Sequence, residues 1–106
     1  MILKPTQSKF NGQTIGLAYT DVMCNQMSTG IVAADQDNVA AVAATASHEL
    51  GHNYGMSHDT ENDPNQACQC ADGANKCIMS AIISQQTPSS WSDCSHAKLT
   101  AFKVRI

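Results

Sequence analysis

Apolar and polar positions follow different rhythms in different parts of the chain. Around residues 39–50 the apolar side chains Val39, Val42, Ala46 and Leu50 recur at i, i+3, i+7 and i+11, the spacing of one face of a 3.6-residue helix. This predicts a helix whose Val39 side meets a core, with Ala41, Thr45, His48 and His52 on the opposite side of the cylinder. Asp37 or Asn38 is placed to cap its start, and Gly55 offers a left-handed exit. Upstream, residues 14–19 and 29–33 are short runs rich in β-branched and apolar side chains. Two strands are therefore expected before the helix, joined by a polar loop that carries Cys24. After Gly55 the periodicity stops. Asp, Asn, Gln, Ser, Pro and Cys dominate, and Trp91 is the only large aromatic before Phe102, so an irregular, cysteine-tied region is expected, closing with a short helix from Ser95.

Composition narrows the field. A chain of 106 residues makes one domain that buries roughly two-thirds of its extended surface. Hydrophobic residues are 42 %, charged residues 14 % and the net charge is -3, which excludes a highly charged disordered chain and a basic nucleic-acid binder. The longest weakly polar run, residues 39–46, is mostly alanine and far shorter than the ~20 apolar residues that span a bilayer. The first residues hold no apolar stretch of signal-peptide length and no small-residue cleavage site, so a secretion signal is expected to lie outside this chain. Five cysteines, Cys24, Cys68, Cys70, Cys77 and Cys94, point to an oxidising compartment. Their odd number leaves one without a partner in the chain, and pairing of the four downstream cysteines has three possible connectivities.

The chemistry concentrates in residues 48–59, HELGHNYGMSHD. His48 and His52 lie one helical turn apart on one face, so their imidazoles can converge on one ion at about 2.0–2.1 Å each. His58 is ten residues past His48, about 15 Å further along a straight helix, so the chain must turn back for a third ligand, and Gly55 permits that turn. Three neutral histidines leave the fourth position of a Zn²⁺ site to water, the arrangement of a catalytic rather than a closed structural site. Glu49, about 100° around the helix from His48, can reach that water without displacing a ligand and is the candidate general base and later proton donor. The remaining histidine, His96, reads as a solvated residue near a helix start.

These residues resemble the metzincin zinc endopeptidases, and within them the adamalysin or reprolysin group that includes snake-venom metalloproteinases and the ADAM proteases. The long histidine motif matches the metzincin pattern, Asp59 after the third histidine looks like the adamalysin signature, and Cys77-Ile78-Met79-Ser80 resembles that group's Met-turn, in which a methionine lies beneath the metal. Residues 10–19, 23–24, 29–32 and 92–95 resemble the group in order and spacing, whereas residues 101–106 do not look like its ending.

The resemblance implies an α+β, α/β/α-like zincin fold and the second half of a catalytic domain, with strands and zinc helix in residues 1–55 and a lower subdomain with the Met-turn in 56–106. It implies pairing of Cys68 with Cys94 and of Cys70 with Cys77, leaving Cys24 unpaired. It further implies that a peptide substrate lies as an extended strand along Ile15, Gly16, Leu17 and Ala18. Ile82 and Ile83, after Met79, would line the pocket for the side chain that follows the scissile bond. The function implied is a secreted or extracellular Zn²⁺-dependent endopeptidase acting on proteins or peptides through zinc-bound water and Glu49. The alternative expectation is a fragment or relative that binds zinc or protein partners without turnover.

Overall fold

The computed structural model describes residues 2–6, 16–33, 39–59, 68–81 and 87–105, with backbone alone for 2–6 and 105. In chain order they form β1 (Ile2–Thr6), β2 (Gly16–Ala18), β3 (Thr29–Ala33), α1 (Val39–Asn53) and α2 (Asp93–Arg105), a mixed α+β arrangement. The sheet order is β1-β3-β2. β1 runs parallel to β3, with Ile2 opposite Thr29 and Thr6 opposite Ala33, and β2 runs antiparallel to it, with Gly16 opposite Val32.

The strand expected at 29–33 is β3. Of the run 14–19, residues 16–18 form β2, while 14 and 15 lie outside the described residues. Where two strands were expected, the described sheet has three. β1 lacks the alternation that signals a half-buried strand and contains Pro5, a residue without an N–H that an edge strand tolerates.

Helix α1 packs on β3 and β2, but not with the face that its apolar period predicts. Val39 is 82 % exposed, and Val42, Ala46 and Leu50 are half-buried, whereas Thr45, His48, Glu49, Gly51 and Asn53 are buried. The reason is that a polar side chain can be buried at little cost when its hydrogen bonds are made. Thr45 Oγ1 donates to Ala41 O at 2.9 Å, so only its methyl is left to pack. Asn53, with no exposed surface, donates through Nδ2 to Tyr19 O at 2.8 Å and Thr29 O at 3.2 Å, and its Oδ1 accepts from Ser28 Oγ at 3.1 Å.

The proposed caps at Asp37 and Asn38 lie outside the described residues. The exit of α1 is explicit: Gly55 has φ +86°, its N–H donates to His52 O at 2.9 Å, and Met56 N–H donates to Gly51 O at 3.0 Å. This double bond pattern is the Schellman motif, which needs a residue at positive φ after the helix. The β2–β3 loop supplies further donors: Asp21 N–H bonds His52 O at 2.8 Å, and the Val22 and Met23 N–H groups bond Asn53 O at 2.9 Å each. Carbonyls that no later turn of helix can satisfy are thus closed by a neighbouring segment.

Past Met56 the described chain is held by isolated bonds and cysteine bridges. Asp59 pairs with Ser80 and Cys70 with Ser92 as single bridges, and Ile78 N–H donates to Ser90 O at 3.0 Å. Disulfides join Cys68 to Cys94 and Cys70 to Cys77, and Cys24 is free and exposed. The closing helix begins earlier than Ser95 and is longer than expected. Ser92 caps it, its Oγ accepting the Ser95 N–H at 3.0 Å, and Asp93 occupies the first turn. Phe102 is buried against Tyr54, ring centroids 5.3 Å apart and edge to face, which docks α2 on the end of α1. Among the described residues no helix is long and apolar enough to cross a membrane.

Candidate metal centre

The Gly55 turn brings His58 back to the histidines of α1. His58 Nε2 lies 3.1 Å from His48 Nε2 and 3.2 Å from His52 Nε2, and the three ring centroids are 4.8 to 5.0 Å apart, a nearly equilateral set. Three nitrogens bonded at about 2.0–2.1 Å to one tetrahedral ion would stand about 3.3 Å apart, so the spacing suits such an ion.

The donor set carries the stronger argument. His48 Nδ1 is 2.7 Å from Ile78 O, and His52 Nδ1 is 2.9 Å from Met56 O. A carbonyl only accepts, so both Nδ1 atoms carry the proton and both neutral rings present a bare Nε2. His58 can offer one proton to one of them. At least one bare Nε2 is therefore left without a hydrogen bond from the triad, and a cation held by the three nitrogens would satisfy it. Burial reinforces it: desolvation lowers the His48 pKa to about 4, against the raising effect of its bond to Ile78, and desolvation likewise lowers that of His52. Both rings stay unprotonated, and able to ligate, near neutral pH.

Around the triad the packing is tight. Met79 has no exposed surface, and a Cβ added at Gly51 would meet its Sδ at 2.5 Å, that of Met56 at 3.0 Å and the Trp91 ring at 3.1 Å. The glycine inside the helix lets two thioethers and an indole lie against the backbone between His48 and His52. Asp59, next to His58, is buried; its N–H donates to Met79 O at 2.9 Å and its Oδ1 accepts from Ser92 Oγ at 2.7 Å. His58 is thereby tied both to the Met79 segment and to the start of α2. Glu49 is only 5 % exposed, and desolvation raises its pKa to about 7.

Two neighbouring histidines, a third returned by a glycine turn and a buried methionine packed at Gly51 of the same helix agree with a comparison of the whole chain. Residues 3–105 match the family model described as Reprolysin (M12B) family zinc metalloprotease. The chain belongs to the reprolysin family. It is 43 % identical over 101 residues to the snake venom metalloproteinase atroxlysin-1 of Bothrops atrox, covering 94 % of this chain and 46 % of that protein. It is 45 % identical over 101 residues to the snake venom metalloproteinase trimerelysin-2 of Protobothrops flavoviridis, with the same coverage of each. This reprolysin chain thus spans about half the length of the relatives it matches.

The structure brings His48, His52 and His58 together and puts Met79 at Gly51, on the same helix as His48 and His52. Gly16, Leu17 and Ala18 form β2; Ile15, Ile82 and Ile83 lie outside the described residues. His96 is exposed on α2 and belongs to no ligand cluster among the described residues. A second cluster, Cys68, Asp93 and Cys94, has its two sulfurs joined in a disulfide and is no ligand set. Sequence reasoning missed Asn53 and Gly51. Both had a visible signal: a poor helix former inside the motif-bearing helix requires a local reason.

Proposed function

We propose that this reprolysin chain carries the metal-binding and catalytic segment of a secreted zinc endopeptidase that hydrolyses peptide bonds of extracellular proteins. The observation that carries this reading is the pair of bare Nε2 atoms, fixed by the Ile78 and Met56 carbonyls and facing His58. His48, His52 and His58 would hold Zn²⁺, which when bound supplies Lewis-acid polarisation of the scissile carbonyl and lowers the pKa of a water toward ~7. Glu49 takes the proton from the attacking water and later returns it to the leaving amine. Its buried carboxyl, raised to about 7, is matched to exchanging protons near neutral pH.

A peptide substrate would lie along Ile15, Gly16, Leu17 and Ala18, since β2 ends the described sheet and among the described residues no strand pairs with its outer side, which suits strand addition. Ile82 and Ile83 would line the pocket beyond the scissile bond. In this reading residues 1–55 supply strands and metal helix, and residues 56–106 supply the third ligand, the Met79 floor and the disulfides suited to an oxidising exterior.

Zinc stoichiometry, measured beside cleavage of an unfolded protein by this chain, tests the reading. The expected result is one zinc per chain with hydrolysis that Glu49→Gln removes while zinc stays bound. Zinc bound without cleavage would leave the chain a binding module, and no zinc would overturn the ligand set.

A further inference from the structure

Gly16 opens the edge strand β2, where a glycine weakens a strand and commonly marks a close approach. Its φ is not in the left-handed region, which among the described glycines only Gly55 and Gly73 occupy, so backbone conformation does not require glycine there. Space does. A Cβ built at Gly16 would stand 2.6 Å from Glu49 Oε1 and 3.0 Å from both Cδ and Cγ of the same side chain, and those are its three nearest neighbours. β2 alternates half-buried Gly16 and Ala18 with exposed Leu17, which turns Gly16 toward α1. The volume of the absent side chain is the volume that the Glu49 carboxylate fills.

We propose that Gly16 is a positioning residue for Glu49: the bare backbone at the start of β2 sets how the carboxylate extends from α1, so the strand that would receive substrate also sets the reach of the base. The inference rests on the functional reading above. Any side chain at position 16 must displace the carboxylate, which is the far end of a flexible side chain and therefore moves before either backbone does. The fold and the three histidines stay in place, and the loss falls on the one group that handles the proton.

The experiment is a double-mutant cycle of Gly16→Ala and Glu49→Ala in the full chain with excess zinc, read by thermal unfolding, bound zinc and turnover. With Glu49 removed, Gly16→Ala relieves a strand glycine and is expected to raise the midpoint by about 2–6 °C; with Glu49 present the gain is absent. In the parent background Gly16→Ala is expected to keep its zinc and to lower kcat by about 10–100-fold with KM changed less than about twofold. The same midpoint shift in both backgrounds, or a Gly16→Ala variant with unaltered kcat, overturns the proposal. If Gly16→Ala does not fold, the pair decides: folding of Gly16→Ala/Glu49→Ala supports it, and failure of both overturns it. A parent chain that cleaves nothing sinks the functional reading, while the unfolding cycle still decides the positioning.

Discussion

His48 and His52 are set by a helix, whose rise of about 1.5 Å per residue fixes their separation before any tertiary contact forms. His58 is set by a turn and by the described residues between it and α2, where isolated backbone bonds and two disulfides replace periodic structure. The first region carries its geometry locally and needs a sheet only to be held in position. The second has almost no local geometry, and its residues are placed by contacts across long sequence distances, such as Asp59 with Ser92 or Cys68 with Cys94. A ligand set drawn from both regions exists only when the two are docked, so metal binding reports on the join between them.

The sharpest test of the helical side is chemical. Glu49→Gln is expected to keep the metal and lose about 10²–10⁴-fold in hydrolysis, the range of general acid–base catalysis, as read by turnover beside metal analysis. Removing a ligand from either region should strike metal affinity instead. His48→Ala, His52→Ala and His58→Ala are each expected to weaken zinc by more than the roughly 10–100-fold that loss of an outer partner costs, measured by competition with a chelator. If His58→Ala bound zinc as tightly as the parent, the turn-borne ligand would drop out and the comparison with it.

Covalent closure should matter on one side alone. The Cys68–Cys94 bridge spans 26 residues and the Cys70–Cys77 bridge 7. Loop entropy then gives about 3.5 kcal/mol for the first and about 2.5 kcal/mol for the second, lost on Cys68→Ser/Cys94→Ser and on Cys70→Ser/Cys77→Ser respectively and readable by denaturant unfolding.

Acidity separates the groups of α1 from one another. His48 and His52 have lowered pKa values when folded, so in the metal-free chain their stabilisation is present above about 6.5 and is lost as the pH falls, for His48 toward about 4. Glu49 is raised to about 7, so its share is present below its ordinary value near 4.5 and lost as the pH rises through 7. Denaturant unfolding of the metal-free chain between pH 5 and 8 should show Glu49→Gln gaining on the parent toward the alkaline end. A constant difference would contradict the burial of the carboxylate. The smallest effect is expected at Val39, where Val39→Thr should change stability by less than about 0.5 kcal/mol, because the side chain is 82 % exposed. A larger loss would restore the core face that the apolar period suggested.

What was readable in the sequence follows the same division. The i, i+4 histidines, the Gly55 exit and β3 obey local rules, and the structure places each where those rules put it. The buried face of α1 was misjudged because hydrophobic periodicity counts Val39 as core and Thr45 as surface, whereas Val39 is exposed and Thr45, its hydroxyl bonded to Ala41 O, is buried. β1 escaped notice because its partner, β3, lies 27 residues away and its own sequence contains a proline. Gly51 stood out as a poor helix former, but what it makes room for, like the role of Gly16, is defined by side chains arriving from other segments and could not be read without coordinates.

The tautomers of His48 and His52 are chosen by the carbonyls of Ile78 and Met56, not by any side chain. No codon change at position 56 or 78 deletes a carbonyl oxygen, so this part of the site is shielded from point mutation in a way that a carboxylate partner would not be. Alanine scanning will therefore pass over two of the groups that prepare the proposed metal ligands, and only backbone chemistry, such as an ester placed in the main chain to weaken the acceptor, will expose them. Sequence drift can alter what surrounds the two imidazoles while the proton on each ring stays where the main chain holds it.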